Sequence, residues 1–258
     1  MSVRIHPAAH VAEGATLGLD VSVGPGAVVG PDVIVGDRTR IDSHALVTGW
    51  TTLGVDCHVH HGAVLGSPPQ DLKYVPVRSY LVVGDRTVCR EYMTANLATE
   101  PEFSTRIGSD CLLMAYSHVA HNGHLGDHVI LANAVQLAGY VVVDDWAIVG
   151  GGSVVHQFTR IGRHCMIGGG SRIPQDVAPF TKTAGSPPRN AGINSVGLAR
   201  RGFAPAAVEA LNQAYRIFYR SGHTAGQAVE AIRQRYPGIA EVEHFCRFCE
   251  TSVRGVVR

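Results

Sequence analysis

Aliphatic residues recur at every sixth position along much of the chain. From Ile5 to Leu65 each sixth residue is Ile, Val or Leu, and the same phase returns from Ile107 to Ile173. In the first of these stretches the residue four places further on is always small or β-branched. Neither the two-residue period of a strand nor the 3.6-residue period of a helix explains this pattern. It is typical of hexapeptide repeats, whose aliphatic side chains fill the bore of a parallel β-helix.

The hexads imply a coil with a defined register. Known hexapeptide-repeat proteins, which this pattern resembles, coil left-handed with three hexads to a turn. Residues 18 positions apart would then stack on adjacent coils, about 4.8 Å apart like neighbouring strands. We therefore predict a mainly β fold: a left-handed parallel β-helix of hexapeptide repeats with a small C-terminal α-helical domain.

The pattern also predicts how the chain is divided. The β-helix is expected over residues 1–178, with excursions at 67–82 and 96–106 where the hexads stop and then resume in phase. A Pro- and Gly-rich linker is expected at 179–194, and helical periodicity predicts an α-helical C-terminal domain over 195–258. Loops that leave a rigid scaffold often carry functional residues, so the two excursions are the first places to search for a site.

Composition excludes several classes of protein. The formal net charge is +1 over 258 residues, which gives no electrostatic reason to expect nucleic acid as a partner. There is no run of 18 apolar residues and no apolar core near the N-terminus, so neither a spanning helix nor a signal peptide is expected. We therefore expect a cytoplasmic, reduced protein. Lys73 and Lys182 are the only lysines, which draws attention to each.

Three histidines lie three residues apart in "AYSHVAHNGHLG" (115–126). His121 is the third residue of its hexad, whereas His118 and His124 are sixth residues of successive hexads and should lie on different faces. This placement argues against a single ion held by all three. Adding 18 to His121 leads to Gly139, and adding 18 again leads to Gln157. A histidine that can take a proton, stacked on a backbone N–H that can stabilise an oxyanion, suits acyl transfer.

Two other groups of side chains are of a metal-binding type. His58, His60 and His61 form "HVHH", but the sequence indicates no fourth ligand for them. Cys246 and Cys249 form a Cys-x-x-Cys pair on a predicted helix without a second pair, which favours core packing over zinc. We therefore predict no metal site and no cofactor.

Several motifs together resemble one enzyme family. These are "QDLKY" (70–74), "AHNGHLGDHVILAN" (120–133), "LAG" (137–139), "DDWAIVGGGSVVHQF" (144–158) and "GLARRGF" (197–203). The chain resembles the acyl-[acyl-carrier-protein]–UDP-N-acetylglucosamine O-acyltransferases over essentially its whole length. The resemblance implies a homotrimer with active sites between adjacent β-helices. It also implies transfer of an (R)-3-hydroxyacyl group from acyl carrier protein to the sugar 3-hydroxyl, the first step of lipid A biosynthesis.

The resemblance implies roles for individual residues. His121 would be the general base, Asp71 the carboxylate that orients it, and Gly139 the residue whose N–H faces the oxyanion. The residues implied to contact the substrates or line the cleft are Gln70, Lys73, His118, Tyr140, His156, Gln157, Asn194, Arg200 and Arg201. Of these, Asn194, Arg200 and Arg201 match the nucleotide-binding segment of the family. The acyl groove would be lined by Met114 and by Gly169, where a bulky side chain would shorten the chain that fits.

The chain departs from the family pattern near the expected acceptor. Tyr140 stands where the family commonly has His, Val196 where it usually has an acidic residue, and "MTANLATEPE" (93–102) where "HRGT" is familiar. These departures leave open a different acceptor, such as a 3-amino sugar nucleotide or another UDP-sugar. From the residues alone, "DLKY" also fits a solvated loop, Arg200 and Arg201 a solvated helix start, and Gly169 an ordinary hexad turn.

Two further classes of protein share the predicted coil. One is a trimeric metalloenzyme of the γ-carbonic-anhydrase type, in which histidines hold zinc across a subunit interface. The other is a scaffold without catalytic activity. "QDLKY" and the helical domain favour the acyltransferase, whereas stoichiometric zinc would favour the metalloenzyme. Failure to bind both UDP-sugar and acyl carrier protein would favour the scaffold.

Overall fold

A computed structural model of the chain describes residues 2–258. In chain order the strands are β1 (Arg4–Ile5), β2 (His10–Val11), β3 (Thr16–Leu17), β4 (Ser22–Val23), β5 (Val28–Val29), β6 (Ile34–Val35), β7 (Arg40–Ile41), β8 (Leu46–Val47), β9 (Trp50–Leu53), β10 (His58–Val59), β11 (Val64–Ser67), β12 (Tyr80–Val83), β13 (Val88–Cys89), β14 (Thr94–Asn96), β15 (Ser104–Ile107), β16 (Leu112–Leu113), β17 (His118–Val119), β18 (His124–Leu125), β19 (Ile130–Leu131), β20 (Gln136–Leu137), β21 (Val142–Val143), β22 (Ile148–Val149), β23 (Val154–Val155), β24 (Arg160–Ile161), β25 (Met166–Ile167), β26 (Arg172–Ile173), β27 (Thr181–Gly185) and β28 (Pro188–Ile193). The helices are α1 (Ser195–Arg200), α2 (Pro205–Arg220), α3 (Ala225–Arg235) and α4 (Ala240–Glu250).

The strands form three sheets, each built from every third strand along the chain. Their orders are β1-β4-β7-β10-β13-β16-β19-β22-β25-β27-β28, β2-β5-β8-β11-β14-β17-β20-β23-β26 and β24-β21-β18-β15-β12-β9-β6-β3. Among β1 to β26, strand partners lie 18 residues apart wherever no excursion intervenes, as in the pair Val119 and Leu137. Within residues 2–258 every coil pairing is parallel, and β27 and β28 are the one antiparallel pair. The predicted fold class, a parallel β-helix of hexapeptide repeats followed by α-helices, is confirmed.

The aliphatic position of each hexad fills the bore. Leu65 and Leu131 are fully buried, whereas Ile5 on the first coil is 46% exposed because no coil lies beneath it. The small-residue position also points inward, so that Cys111 and Cys165 are core fillers. Burial raises the pKa of the Cys111 thiol to about 11 and that of Cys165 to about 12, which keeps both thiols protonated and unreactive.

The excursions return in register and are shorter than predicted. Val83 pairs with both Leu53 and Ile107, so the coil resumes in phase after each of them. The strands β11 and β12 extend into the first predicted excursion and leave a loop at 68–79. The strands β14 and β15 likewise leave a loop at 97–103. The difference arises because backbone pairing continues for up to four residues beside a loop, beyond the two-residue strands of an ordinary hexad.

The predicted linker at 179–194 contains regular structure. β27 adds to the edge of β25 through the pair Met166 and Lys182, and β28 folds back on β27 as an antiparallel hairpin. Pairing satisfies backbone groups at the last coil that would otherwise form an open sheet edge. The Pro and Gly residues of this segment therefore mark a hairpin at the end of the coil.

The four helices form a second core on the end of the β-helix. Phe180, Leu211, Phe218 and Phe245 are buried in it, and Cys246 and Cys249 also pack there. Thr224 and Gln227 form a capping box at the start of α3, and Pro205 opens α2. No helix within residues 2–258 is both long and apolar enough to cross a membrane.

Candidate active site

A cleft of about 600 Å³ lies between the loop 68–79 and the second sheet. This loop begins directly after β11. Asn96, at the end of β14, fixes it in place because its Nδ2 donates to the carbonyl of Pro68 at 3.1 Å. The predicted residues that this cleft brings together are Gln70, Asp71, Lys73, His118, His121, Gly139 and Gln157. Residues far apart in the chain thus meet because a loop folds over three successive coils.

The predicted column of His121 and Gly139 is present. Tyr140 N donates to the carbonyl of His121 at 3.1 Å, and Phe158 N donates to the carbonyl of Gly139 at 3.1 Å. The imidazole of His121 lies against the Cα of Gly139, because a Cβ built there would stand 2.5 Å from Cε1 and 2.7 Å from Nε2. Only glycine leaves room for the ring in this position. Within residues 2–258 the Gly139 N–H has no hydrogen-bond acceptor, so it is free to donate to a ligand.

One ring nitrogen of His121 is held by its neighbour. Nδ1 lies 2.9 Å from Oδ1 of Asn122, and Asn122 in turn contacts Thr99 and Glu100 of the loop 97–103. Sequence reasoning missed these three residues. The sequence signal that could have pointed to Thr99 and Glu100 was the stretch "MTANLATEPE" in the second excursion, where the chain departs from the family pattern.

Asp71, the predicted partner of His121, lies in the cleft without bonding to the imidazole. Its Oδ1 accepts from Lys73 N at 2.9 Å, and both side chains are exposed. Within residues 2–258, the hydrogen-bond partner of Nδ1 of His121 is the amide oxygen Oδ1 of Asn122. The orienting role of Asp71 therefore stays a prediction.

His118 is the second histidine of the cleft. It is half-buried, and its Nδ1 lies 2.7 Å from Oγ1 of Thr94. Burial, followed by the proximity of His121, lowers the pKa of His118. His118 is consequently neutral near pH 7 and can donate or accept a hydrogen bond without adding charge beside His121.

Tyr140 is turned away from the cleft. Its ring meets His121 edge-to-face with centroids 5.4 Å apart, and its hydroxyl donates to the carboxylate of Glu100. Burial, and then the bond to Glu100, raise the pKa of Tyr140, so its phenol keeps its proton. Within this chain Tyr140 packs beside His121, and its role as a substrate contact stays a prediction.

The predicted nucleotide segment does not reach this cleft within one chain. Asn194 is buried at the start of α1, where Oδ1 accepts from Gly197 N at 3.3 Å and Nδ2 donates to the carbonyl of His164 at 3.0 Å. Arg201 stacks over Trp146 with Cζ 4.9 Å from the ring centroid. Asn194 and Arg201 thus join the helices to the coil. Arg200, the third predicted residue of the segment, is exposed.

A second, more apolar cavity of about 490 Å³ adjoins the cleft. Val154 and Val155 line both spaces. His156 lines the second cavity, and its Nδ1 lies 3.0 Å from the carbonyl of Gln157 and 3.2 Å from a guanidinium nitrogen of Arg254. This continuity would let one elongated ligand occupy both spaces.

The two residues predicted to line the acyl groove lie outside these two cavities. Gly169 is exposed on the coil surface beside Gly151, and a Cβ at Gly169 would stand 3.1 Å from the Gly151 carbonyl oxygen. Met114 is half-buried. Neither residue is brought next to His121 by the fold of a single chain.

The "HVHH" stretch carries donors that could hold a metal ion. Asp42 Oδ2 lies 2.7 Å from His58 Nε2 and 3.6 Å from His60 Nδ1, and Glu91 Oε1 lies 3.5 Å from His60 Nδ1. The sequence did not indicate that Asp42 and Glu91 join these histidines. His61 belongs to a different contact, with Nε2 3.0 Å from the Tyr92 hydroxyl.

The hexad coil and a cleft in which a histidine stacks on a backbone glycine define a hexapeptide-repeat acyltransferase. Residues 176–257 match the family model for domain 2 of UDP N-acetylglucosamine O-acyltransferase. The acyl-[acyl-carrier-protein]–UDP-N-acetylglucosamine O-acyltransferase of Burkholderia lata is 44% identical over 260 residues, which cover 99% of each chain.

Solved structures agree with these sequence matches. The UDP-N-acetylglucosamine acyltransferase of Bacteroides fragilis superposes with a TM-score of 0.96 at 34% identity, covering 98% of this chain and 99% of that one. The enzyme of Campylobacter jejuni superposes with a TM-score of 0.93 at 35% identity, covering 99% and 100%. The chain belongs to the acyl-[acyl-carrier-protein]–UDP-N-acetylglucosamine O-acyltransferase family and is an acyltransferase, which decides against the metalloenzyme and the scaffold.

Proposed function

We propose that this enzyme transfers an (R)-3-hydroxyacyl group from acyl carrier protein to the 3-hydroxyl of UDP-N-acetylglucosamine, the first step of lipid A biosynthesis. The observation that carries the proposal is the imidazole of His121 stacked on Gly139 in the cleft. The relatives named for this reaction match the chain from end to end and support the choice of substrates.

The geometry supports a direct transfer with His121 as general base. Nε2 of His121 takes the proton of the sugar hydroxyl while the hydroxyl oxygen attacks the thioester carbonyl carbon. The Gly139 N–H donates to the resulting oxyanion. When the C–S bond breaks, the imidazolium returns the proton to the departing thiolate of the acyl carrier, so that both proton and electron pairs balance.

A homotrimer is part of the proposal. The cleft is open, and the predicted nucleotide residues Asn194, Arg200 and Arg201 lie away from it in the same chain. A second β-helix packed against the cleft would close it and exclude water from the thioester. Sedimentation equilibrium should give three chains per particle, and a monomer with full activity would contradict this arrangement.

The reaction is tested by product analysis. The purified protein is incubated with 3-hydroxyacyl carrier proteins of several chain lengths and with UDP-N-acetylglucosamine, and the products are identified by mass. An O-acylated UDP-sugar is the expected product. A product formed only with the 3-amino analogue would replace this acceptor by the alternative that Tyr140 and Val196 left open. Absence of product with every donor and both acceptors would contradict the proposed function.

Replacing Gly169 by methionine should shift the donor preference to a shorter acyl chain without abolishing activity. Gly151, Gly152, Gly169 and Gly170 leave a strip of the coil surface without side chains, and a methionine would rise from that strip. The ratio of kcat/KM for long and short donors measures the effect. Val28→Met, an exposed position near the other end of the coil, is the control. An unchanged chain-length profile in Gly169→Met would show that Gly169 does not limit the groove.

Replacing Arg200 by alanine should weaken UDP binding by about one to two orders of magnitude. Charge-assisted bonds to phosphate contribute roughly 1.5–3 kcal/mol each, and about 1.4 kcal/mol corresponds to a factor of ten. Arg200 is the exposed arginine of the segment, whereas Arg201 is engaged with Trp146. Calorimetric titration of UDP measures the effect. Arg216→Ala removes the same charge from the exposed face of α2 as a control. Equal UDP affinity in the wild type and Arg200→Ala would place the diphosphate elsewhere.

A further inference from the structure

A small hydrogen-bond network lies behind His121. Asn122 follows His121 in the turn and donates from Nδ2 to the carboxylate of Glu100. The same carboxylate accepts from the Tyr140 hydroxyl and, at 3.0 Å, from the Thr99 hydroxyl. The loop 97–103, the turn after β17 and the turn after β20 thus meet at one carboxylate, on the Nδ1 side of His121.

The partners of Asn122 determine which way its amide faces. Glu100 as a carboxylate can only accept, so the amide nitrogen of Asn122 must point to it. The backbone N–H of Thr99 can only donate, and it lies 3.1 Å from Oδ1 of Asn122. The amide therefore presents its oxygen to Nδ1 of His121 at 2.9 Å. Nδ1 must carry a proton to make that bond, which leaves the lone pair of the neutral ring on Nε2.

We propose that Glu100 and Asn122 are positioning residues that hold His121 in the Nδ1-protonated tautomer and stabilise its imidazolium during the reaction. The inference deepens the proposed function and rests on His121 being the base. The carboxylate acts through the amide: it polarises Nδ2, which strengthens Oδ1 as an acceptor for the His121 N–H. A base held in this way needs no reorientation when it takes the proton from the acceptor hydroxyl.

The charges around His121 favour this role for Glu100. Burial alone would raise the pKa of Glu100, but hydrogen bonds from Tyr140, Asn122 and Thr99 lower it below its usual value. Glu100 is therefore ionised at neutral pH. The other titratable groups near the imidazole are His118 and Tyr140, which are uncharged, and Asp71 and Lys73, which are exposed on the loop 68–79. Glu100 is thus the carboxylate joined to His121 through hydrogen bonds.

Glu100→Gln tests the proposal, because it keeps the size of the side chain and removes its charge. We expect kcat to fall about tenfold with KM changed less than twofold. The acidic limb of the pH profile of kcat/KM should move to lower pH, since a nearby carboxylate favours the protonated ring. Glu102→Gln is the matched control: Glu102 lies two residues away and accepts from the Tyr80 hydroxyl at 2.7 Å. It should change neither kcat nor the profile.

A rescue variant separates positioning from simple structural support. Asn122→Asp combined with Glu100→Gln places the carboxylate directly at Nδ1 and gives it a donor from the new amide. This double variant should recover most of kcat and return the acidic limb towards higher pH. Nitrogen-15 NMR of histidine-labelled protein reads the tautomer directly, and His121 should be protonated at Nδ1 in the wild type.

The outcomes distinguish this inference from the proposed function. Two results would overturn the positioning role of Glu100 and Asn122 even if His121→Ala is inactive. One is an unaltered kcat and pH profile in Glu100→Gln, and the other is protonation of neutral His121 at Nε2 in the wild type. A loss of kcat in Glu100→Gln with no shift of the pH profile and no rescue by Asn122→Asp would mean that Glu100 only supports the loop 97–103. That result would also overturn the positioning role. Full activity in His121→Ala would instead contradict the proposed base, and with it the positioning role of Glu100 and Asn122.

Discussion

His121→Ala protein is expected to fold normally and to turn over about two to four orders of magnitude more slowly than the wild type. This is the usual scale for the loss of general base catalysis. The side chain is half-buried at the cleft surface and fills no part of the bore, so its removal should leave the coil intact. The sugar hydroxyl would lose its proton acceptor, whereas the cleft and the Gly139 N–H would remain.

Steady-state kcat at saturating substrates is the measurement, with thermal unfolding to confirm the fold. His124→Ala is the matched control, because His124 is three residues away, exposed and outside the cleft. It should retain wild-type turnover. Near-normal kcat in well-folded His121→Ala protein would show that another group removes the proton.

Gly139→Ala is expected to lower kcat/KM by about two orders of magnitude. The added methyl would stand 2.5 Å from Cε1 of His121, so the ring must move by about an ångström to restore ordinary contact. A misplacement of that size at a reacting group can cost about a hundredfold in rate. The backbone at Gly139 is not in the left-handed region, so alanine should be accepted without strain there.

The effect of this methyl is measured by kcat/KM together with the thermal midpoint. Gly226→Ala on α3 is the control, because nothing lies within 4 Å of a Cβ at that position. It should leave activity unchanged and should not lower stability, since alanine is the better helix former. Wild-type kcat/KM in Gly139→Ala protein would mean that the stacking of His121 on this glycine has no part in catalysis.

The coil could be predicted because its repeat is local and its contacts are between nearest neighbours. Each hexad places one aliphatic side chain in the bore, so the register of Val119 with Leu137 follows from counting along the chain. The same counting identified His121 above Gly139. It also showed that loops at the excursions leave the phase intact, as the pair Val83 and Ile107 confirms.

Counting hexads did not predict the structure where the chain leaves the repeat. The segment 179–194 has the composition of a linker, yet it forms a hairpin because the last coil presents an edge whose backbone groups need partners. Asn194 and Arg201 matched a nucleotide-binding pattern, but within the chain they serve the contact between the helices and the coil. Their binding role, like that of Asp71, stays a prediction.

The sequence by itself determined the hexad coil, its register, the helical end and the histidine that stacks on a glycine. Only the tertiary structure decided what surrounds that histidine. Glu100, Asn122 and Tyr140 are about 20 residues apart from one to the next, and they meet because a loop of irregular backbone folds against two successive turns. No periodicity governs such a loop. Its position follows from hydrogen bonds that must be satisfied together, which neither local propensity nor spacing encodes.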